Sequence, residues 1–415
     1  MGNFIGYRCS LCGSEFQPDQ VTYTCPKDNG NLDVVLDTHR LGREYSVTTV
    51  VSELEYSIWR YTEILPVHDP DGRGTPLRTV GWTPVYEPQK IASDLSLEKL
   101  WIKDESRNPT ASLKDRASAI VVARAREIGA KVIITASTGN AGAALAGMAA
   151  AVGDKAVILA PKTAPPAKVA QLLVYGAKVI LVDGNYDQAF DLSIQAASEF
   201  GWYCRNTGYN PFTAEGKKTA ALEIWEQVLL NYPEMKKPLC IFTSVGDGNI
   251  ISGLHKGFKD LVAMGWLENM PRIFGVQAQG SAAVATAYFN NTEDIQSVHA
   301  QTIADSISVD LPRDGVRAIR AVRETGGEYF IVKDEDILFA ISGLGKSGIF
   351  AEPAGATAYA GVLKALSQGV IGPEDSVVVI NTGSGLKDTR AAMQAVKEAS
   401  VIEPTLEALK KHLAK

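Results

Sequence analysis

The chain has 415 residues and a formal net charge of −6, with 46% hydrophobic and 21% charged residues. This length accommodates two domains, and the composition is ordinary for a globular protein. The acidic balance argues against a nucleic acid or an anionic membrane surface as a partner. No apolar run reaches the roughly 20 residues of a membrane span, and the N-terminus lacks the basic and apolar regions of a signal peptide. We therefore expect a cytoplasmic protein that binds neither nucleic acid nor membrane.

The first 40 residues contain three of the five cysteines. Cys9 and Cys12 form a C-x-x-C pair, and Cys25 begins a second pair whose last place is taken by Asp28. Three thiolates and one carboxylate are an acceptable, though less common, ligand set for structural zinc. Two interpretations stay open. The segment is either a zinc ribbon or a ribbon that has lost its metal and is held by hydrogen bonds and packing.

Residues 37–86 contain few long periodic segments, which predicts an extended arm with structural side chains. A strand is predicted at 100–103. A turn-forming sequence at 108–110 then gives way to apolar residues at helical spacing, and Lys114 lies at that junction. The positive end of a helix dipole disfavours the charged form of a lysine in the first turn. This position suits a nucleophilic amine, although a Lys-Asp-Arg sequence is also typical of a solvated helix face.

Three further segments share one pattern, at residues 137–142 (STGNAG), 244–249 (SVGDGN) and 381–387 (NTGSGLK). Each follows a short apolar run and precedes a helix-like stretch. A strand, a loop of small residues and a helix N-terminus together present backbone N–H groups to an anion or a polar ring. One such loop is commonly only a tight turn. Three in one chain, after a lysine at a helix start, favour a binding site.

The middle of the chain alternates strands and helices, as a parallel sheet with crossover helices requires. Strands are predicted at 131–135, 155–159, 178–182, 202–204, 239–243, 272–277, 329–332 and 376–380. Helices are predicted at 142–151, 168–175, 186–200, 219–230, 337–346 and 355–368. The first four of these strands, with the helices between them, predict a small mobile domain.

Seven motifs occur in one order along nearly the whole chain: NPTASLKDR, STGNAG, DGNYDQA, NPFTAEGKKTAALEI, SVGDGN, IFAEPAGATAYAG and NTGSGLKD. As a set they resemble the threonine synthases, which are pyridoxal-phosphate enzymes of fold-type II. The resemblance implies an α/β fold with two domains, each built on a mainly parallel sheet flanked by helices, and a small N-terminal zinc-ribbon-like segment. The expected division is 1–40 for the ribbon, 41–125 with 207–400 for the large cofactor-binding domain, 126–206 for the small domain and 401–415 for a C-terminal helix. A homodimer is also implied.

The resemblance assigns roles to the matching residues. Lys114 bonds covalently to pyridoxal phosphate and later moves protons on a small amino-acid substrate. Asn140 faces the 3-hydroxyl of the cofactor, and Thr382 faces its pyridine nitrogen. The loop formed by Val245, Gly246, Asp247, Gly248 and Asn249 cradles the cofactor phosphate through backbone amides. The substrate is held by Ser137, Thr138, Gly139, Asn206 and Thr207. Glu352 is expected to pack near the ring, with a structural role as plausible as a catalytic one.

The chain departs from the threonine synthase pattern where the phosphate of the substrate is held. The family has a threonine in place of Ala141 and an arginine in place of Thr213, and Asp247 adds a carboxylate to the glycine-rich loop. These changes weaken the binding of a dianion, since a bidentate guanidinium is the strongest common phosphate contact. The residues that are able to compensate are Lys217, Lys218, Arg313 and Asn206.

Three functions are therefore weighed. The first is a threonine synthase, which eliminates phosphate from O-phosphohomoserine and adds water, with an altered phosphate clamp. The second is a paralogue that eliminates or replaces a β-substituent of serine, threonine or O-phosphoserine, as a dehydratase or as a cysteine- or cysteate-forming enzyme does. The third is a non-catalytic binding protein, against which the presence of Lys114, Asn140 and Thr382 argues.

Overall fold

The computed structural model describes residues 3–137, 139–164 and 166–414. The N-terminal segment is a three-stranded antiparallel sheet with the order β2-β1-β3, where β1 is Phe4–Cys9, β2 is Glu15–Phe16 and β3 is Leu32–Leu36. In β3 the residues Leu32, Val34 and Leu36 are buried and alternate with more exposed ones, so one face of the sheet packs on the body of the protein.

The segment that follows is wound into short helices, so the prediction of an extended arm is wrong. Helices α1 (Thr38–Glu44) and α2 (Val47–Val51) precede two 3-10 helices, Ile58–Ile64 and Pro76–Thr79. The side chains of Asp37, Ser46 and Ser57 accept hydrogen bonds from the first turns of the helices they precede. Such polar caps stabilise helices too short to stand on propensity alone.

The largest sheet has six strands in the order β12-β11-β10-β13-β5-β4, and all neighbours are parallel except the β4–β5 pair. Its strands are β4 (Val85–Tyr86), β5 (Lys99–Asp104), β10 (Cys240–Ser244), β11 (Arg272–Ala278), β12 (Tyr329–Val332) and β13 (Ser376–Asn381). The central strands are buried along almost their whole length, because helices cover both faces of a parallel sheet.

A second parallel sheet has four strands in the order β8-β7-β6-β9. These strands are β6 (Val132–Ala136), β7 (Lys155–Pro161), β8 (Lys178–Val182) and β9 (Tyr203–Cys204). All predicted strands of both sheets are present, within two residues of the expected ends. The three sheets support the division into the four segments given above, which we propose as the domain organisation.

The remaining helices cover these sheets or follow them. They are α3 (Gln89–Asp94), α4 (Lys114–Glu127), α5 (Asn140–Ala151), α6 (Pro166–Val174), α7 (Tyr186–Phe200), α8 (Phe212–Ile224), α9 (Asn249–Ala263), α10 (Ala283–Phe289), α11 (Gly315–Glu324), α12 (Asp334–Gly345), α13 (Pro353–Ser367), α14 (Thr389–Gln394) and α15 (Leu406–Leu413). Short 3-10 helices lie at Glu105–Arg107, Gln279–Ser281, Asp305–Ile307 and Gly385–Lys387, and a π-turn at Trp225–Leu229 extends α8. Among the helices of the described ranges, none has both the length and the apolar character that a membrane crossing needs.

Helix α8 packs closely between α4 and α9, and glycines make this approach possible. A side chain at Gly216 would place its Cβ 2.6 Å from the Cα of Ala117 on α4, and one at Gly257 would lie 2.7 Å from the carbonyl oxygen of Lys218. Both distances are too short for any larger residue. The close contact fixes the start of α4, and with it Lys114, relative to the large domain.

A fully buried ion cluster joins the start of α4 to α8, which contributes Glu223. The Arg116 guanidinium contacts Glu105 at 2.7 Å and Glu223 at 2.5 Å, and the Lys103 ammonium contacts Glu223 at 2.6 Å. Burial alone would raise the pKa of Glu223, but Arg116 and Lys103 hold this pKa at about 2. Two cations and two anions therefore neutralise one another, which is the condition for keeping charges in a protein interior.

Candidate active site

A cavity of about 130 Å³ opens where the loops after β6 and β10 begin α5 and α9. In an α/β fold the carboxyl ends of parallel strands are the usual place for a ligand. The predicted residues that line the cavity are Lys114, Ser137, Gly139, Asn140, Thr207, Val245, Gly246, Asp247, Gly248 and Asn249. Segments far apart in the sequence thus meet at one site.

Lys114 is the first residue of α4, and its side chain faces this cavity. The preceding backbone is fixed, since the Leu113 N–H donates a hydrogen bond of 2.9 Å to the carbonyl oxygen of Thr382. Burial first, and then the Arg205 guanidinium, lower the pKa of Lys114 to about 8, while Glu352 and Asp247 oppose this shift. Far more of the amine is therefore unprotonated near neutral pH than in an ordinary lysine, as a nucleophile requires.

Asn140 begins α5 and is held by an acid from the large domain. Its side-chain amide donates to the Glu352 carboxylate at 2.7 Å and to the Ser306 hydroxyl at 3.3 Å. Glu352 is buried just before α13, and burial raises the pKa of its carboxyl group. The position of Glu352 thus supports the packing role, in which it orients Asn140.

The glycine-rich loop is packed tightly at the start of the 15-residue helix α9. Gly248 has φ of 94°, and a Cβ at Gly246 would lie 2.8 Å from the Cα of Ile307. Only glycine allows both the left-handed backbone and the close approach. The Asn249 amide accepts a hydrogen bond of 2.6 Å from the buried Lys217 ammonium and donates to Asp314 at 2.7 Å.

Asp247 places a buried carboxylate in this loop. It accepts a 2.6 Å hydrogen bond from the backbone N–H of Arg313. Burial is the main reason that the pKa of Asp247 rises to about 6, and the hydrogen bond from Arg313 opposes the shift. The loop therefore gains negative charge as pH rises through this value, which an anion-binding loop does not normally do.

Several predicted residues lie elsewhere. The Asn206 side chain is buried behind β6, where it accepts hydrogen bonds from Thr135 and the Ala136 N–H and donates to Ser193. Thr382 is buried and is not among the residues that line the cavity, and Thr138 lies outside the described residues.

The residues proposed to replace the phosphate clamp also separate. Lys217 and Arg313 line the cavity, although Arg313 also pairs with Asp187 at 3.0 Å. The Lys218 ammonium instead pairs with Glu215 at 2.5 Å and Asp260 at 3.0 Å. The expectation that Lys218 compensates for the lost clamp is therefore wrong, because its charge is already neutralised inside the protein.

Other residues of the cavity were given no role from the sequence. They are Tyr186, Ser306, Val309 and Leu311. Tyr186 lies within the motif DGNYDQA, so this motif could have indicated it. Ser306 belongs to a segment that packs against the glycine-rich loop, since a Cβ at Gly246 would lie 2.8 Å from the Cα of Ile307.

The donor set fits an anionic cofactor. The Lys217 ammonium is buried, and its hydrogen-bond partner, the side chain of Asn249, is neutral. Burial and the nearby cation Lys114 lower the pKa of Lys217 well below its usual value. A phosphate bound at the N-terminus of α9 would remove this imbalance, because it supplies the missing negative charge beside free backbone amides.

Comparison with known proteins agrees with this geometry. The pattern of the family described as "Pyridoxal-phosphate dependent enzyme" matches residues 77–383. The fold resembles the processed form of threonine deaminase isoform 2 from Solanum lycopersicum, with a TM-score of 0.65, 22% identity, and coverage of 79% of this chain and 92% of that one. The fold and the site thus define a pyridoxal-phosphate-dependent enzyme of fold-type II.

More specific matches come from sequence relatives. The chain is 37% identical to a threonine synthase of Methanocaldococcus jannaschii, over 98% of both chains. It is 35% identical to a threonine synthase of Methanosarcina acetivorans, over 97% of both chains. The chain belongs to the threonine synthase family of these enzymes.

Proposed function

We propose that the chain is a threonine synthase, which converts O-phosphohomoserine and water into threonine and inorganic phosphate. The observation that carries this proposal is the cavity itself. A lysine of lowered pKa, the glycine-rich loop at the start of α9, and the side chains of Thr207 and Arg313 all line it. This collection of cations, a hydroxyl and a helix N-terminus suits an enzyme whose cofactor and substrate both carry phosphate. The near full-length similarity to two threonine synthases supports the same conclusion.

Pyridoxal phosphate, when bound, supplies the electron sink that makes the substrate's carbon-bound protons acidic. The residues that would hold it are Lys114, Asn140, the loop from Val245 to Asn249, and Thr382. Lys114 provides the nucleophilic nitrogen and, once released, a base that takes and returns protons on the substrate. Ser137 and Gly139, at the start of α5, are placed to bind the substrate carboxylate.

Within this reaction Glu352 acts through Asn140. Its hydrogen bond of 2.7 Å fixes the Asn140 amide, which would hold the cofactor ring when the cofactor is bound.

A second function is favoured by one observation. Ala141 lines the cavity where the family has a threonine. Thr213, which stands in place of the family's arginine, is buried and donates its hydroxyl to the carbonyl oxygen of Asn210 at 2.7 Å. The usual phosphate clamp is therefore absent, as expected for a paralogue that eliminates or replaces a β-substituent of serine, threonine or O-phosphoserine.

Steady-state turnover on a substrate panel separates the two functions. We expect O-phosphohomoserine to yield phosphate and threonine in equal amounts, with little turnover of serine, threonine or O-phosphoserine. Turnover of O-phosphoserine or serine, combined with none of O-phosphohomoserine, would reject the threonine synthase proposal in favour of the paralogue. Lys131→Ala is a suitable control variant because Lys131 is exposed and lies outside the cavity.

We also infer that the N-terminal sheet binds one zinc ion. One ligand atom each from Cys9, Cys12, Cys25 and Asp28 lies within 4.8 Å of the other three. This grouping supports a four-coordinate structural site. We expect about one zinc per chain by elemental analysis, with near-complete loss in Cys9→Ser. Cys240→Ser is the matched control, since Cys240 is a buried cysteine of β10. A metal-free wild type, purified without chelators, would favour the ribbon that has lost its metal.

We further propose a homodimer located in the cytoplasm, as the family resemblance implies. Sedimentation velocity on the enzyme tests the oligomeric state, and a monomer at micromolar concentration would contradict it.

A further inference from the structure

Arg205 differs from the other buried arginines. Four arginines are buried in the described part of the chain. Arg60 pairs with Glu226, Arg116 with Glu105 and Glu223, and Arg317 with Asp314 and Asp33. Arg205 is fully buried and makes no ion pair with any described carboxylate. Because a buried charge is costly unless it is compensated, this arginine calls for a ligand that supplies the missing charge.

The guanidinium of Arg205 is held by two neutral hydroxyls. Its Nε donates to Ser118 at 3.2 Å, and its Nη1 donates to Thr207 at 2.6 Å. Its Nη2 is buried without a hydrogen-bond partner among the described residues. Burial lowers the pKa of Arg205 to about 10, which agrees with an uncompensated positive charge.

Arg205 lies just behind the wall of the active-site cavity. Ser118 is four residues after Lys114 on α4, so it lies one turn along the same face. Thr207 lines the cavity directly. Since the Thr207 oxygen accepts a hydrogen bond from the guanidinium, its own hydrogen is free to point away from Arg205, towards a ligand. The hydroxyl is thus a donor, supported by a positive charge behind it.

We propose that Arg205 is a positioning residue for the phosphate group of the substrate, acting through the Thr207 hydroxyl and through its own unbalanced charge. Arg205 takes over the role of the family's clamp arginine, whose position is occupied by Thr213 in this chain. This inference rests on the proposed function in so far as the substrate carries a phosphate. Sequence comparison with the family clamp does not reveal it, because the cation comes from a different position.

Other cations near the cavity are less suited to this role. Arg313 is partly neutralised by Asp187 at 3.0 Å and is only partly buried. Lys217 is bonded to Asn249 in the glycine-rich loop, where the cofactor phosphate is expected. Arg205 is the cation on the Thr207 wall that lacks a partner.

The test measures the preference of the holoenzyme for phosphorylated ligands. Dissociation constants for O-phosphohomoserine against homoserine, and for O-phosphoserine against serine, are obtained from the absorbance change of the bound cofactor. Losing a charge-assisted contact costs roughly 10- to 100-fold. We therefore expect Arg205→Met to reduce the preference for the phosphorylated member of a pair by this factor, with little change for the unphosphorylated member.

Three further variants identify how Arg205 acts. Arg205→Lys keeps the charge but loses the fixed bond to Thr207, so we expect an intermediate loss. Thr207→Val removes the donor, and Thr207→Ser restores it. Arg126→Met is the control, because Arg126 is exposed on α4 and pairs with Asp154 at the surface. If Arg205→Met fails to fold, Arg205→Lys and Thr207→Val carry the test.

The outcomes separate this inference from the proposed function. Equal weakening for both members of a pair, or a larger loss of preference in Arg313→Met than in Arg205→Met, would overturn the role of Arg205. A wild type with no phosphate preference in either pair would overturn it as well. If the wild type prefers O-phosphoserine and does not turn over O-phosphohomoserine, the threonine synthase proposal fails, while the role of Arg205 is still decided by the second pair.

Discussion

The start of helix α4 separates two groups of buried charged side chains, one that is ion-paired and one that is not. On one side Arg116, Glu105, Glu223 and Lys103 form ion pairs of 2.5 to 2.7 Å. On the other side, Lys114 and Lys217 line the cavity and Arg205 lies behind Thr207, and all three are buried without such pairs among the described residues. Only one residue separates Lys114 from Arg116 in the sequence, yet their side chains enter different environments.

The effect on protonation shows what this difference means. Glutamates raise the pKa of Arg116 against the effect of burial. Burial lowers the pKa of Lys114, Lys217 and Arg205, and at the two lysines neighbouring cations lower it further. The paired charges around Arg116 hold helix α4 in position. The unpaired cations at the cavity favour the binding of anions, and the cofactor and the substrate would both supply such anions. Buried cations that have carboxylate partners thus contribute to stability, whereas buried cations that lack them contribute to ligand binding.

The largest expected effect is on turnover and concerns Lys114, one of the buried cations without an ion pair. Lys114→Met removes the nucleophile, and we expect kcat to fall by at least about 10³-fold. Since the variant also removes an uncompensated buried cation, the cofactor-free protein should be at least as stable as the cofactor-free wild type. Turnover, cofactor absorbance and urea unfolding measure the three effects. Retained turnover would exclude Lys114 as the catalytic lysine.

In the ion-paired cluster around Arg116, a substitution should lower the stability of the protein. Glu223→Gln leaves Arg116 and Lys103 with too little negative charge, so we expect a loss of about 3–5 kcal/mol in the free energy of unfolding. Glu15→Gln is the control, since the Arg8–Glu15 pair is exposed and should contribute at most about 1 kcal/mol. Equal effects in the two variants would show that the cluster contributes no more than a surface pair.

Protonation of the Glu223 carboxylate should also contribute to the pH dependence of stability. The pKa of Glu223 is about 2 in the folded protein, against about 4.3 for an ordinary glutamate. Its contribution is therefore complete above pH ~4.3 and is lost as pH falls towards 2. Urea unfolding at several pH values should show a smaller acid-induced loss of stability in Glu223→Gln than in the wild type.

The smallest effect concerns Asp247, the acid inside the glycine-rich loop. Its pKa of about 6 means that the loop is neutral below this pH and negative above it. Sulfate does not titrate in this range, so its affinity for the cofactor-free protein should fall by roughly tenfold or less as pH rises through 6. In Asp247→Asn the affinity should stay level. The same slope in both proteins would assign the titration to another group.

Much of the site follows from sequence because its parts are local. Lys114 at a helix start and the loops before α5 and α9 are strand–loop–helix units, and a parallel sheet brings such units to one edge. The sequence predicts a helix at 219–230, whereas α8 begins seven residues earlier, at Phe212. Gly216 within it is a contact glycine against α4.

The roles that could not be predicted depend on which charged side chains surround a residue in the folded protein. Arg205 stands beside the predicted Asn206 and Thr207, but its importance lies in the absence of a counter-charge, which only the folded chain reveals. Lys218 shows the converse, because Glu215 and Asp260 neutralise it. Strands β1 to β3 are short and lie among turns, so their alternation spans too few residues to be read.

The strand order of the large sheet matters while the chain is being synthesised. Strand β13 lies between β5 and β10, so the middle of the sheet is the last part to leave the ribosome. The small-domain sheet is complete at Cys204, whereas the large sheet waits for Asn381, about 180 residues later. At 5–20 residues per second this delay lasts roughly 10–35 s. Until then the edges of β5 and β10 that β13 will occupy stay open to pairing with other chains, so we expect a chain truncated before Ser376 to aggregate.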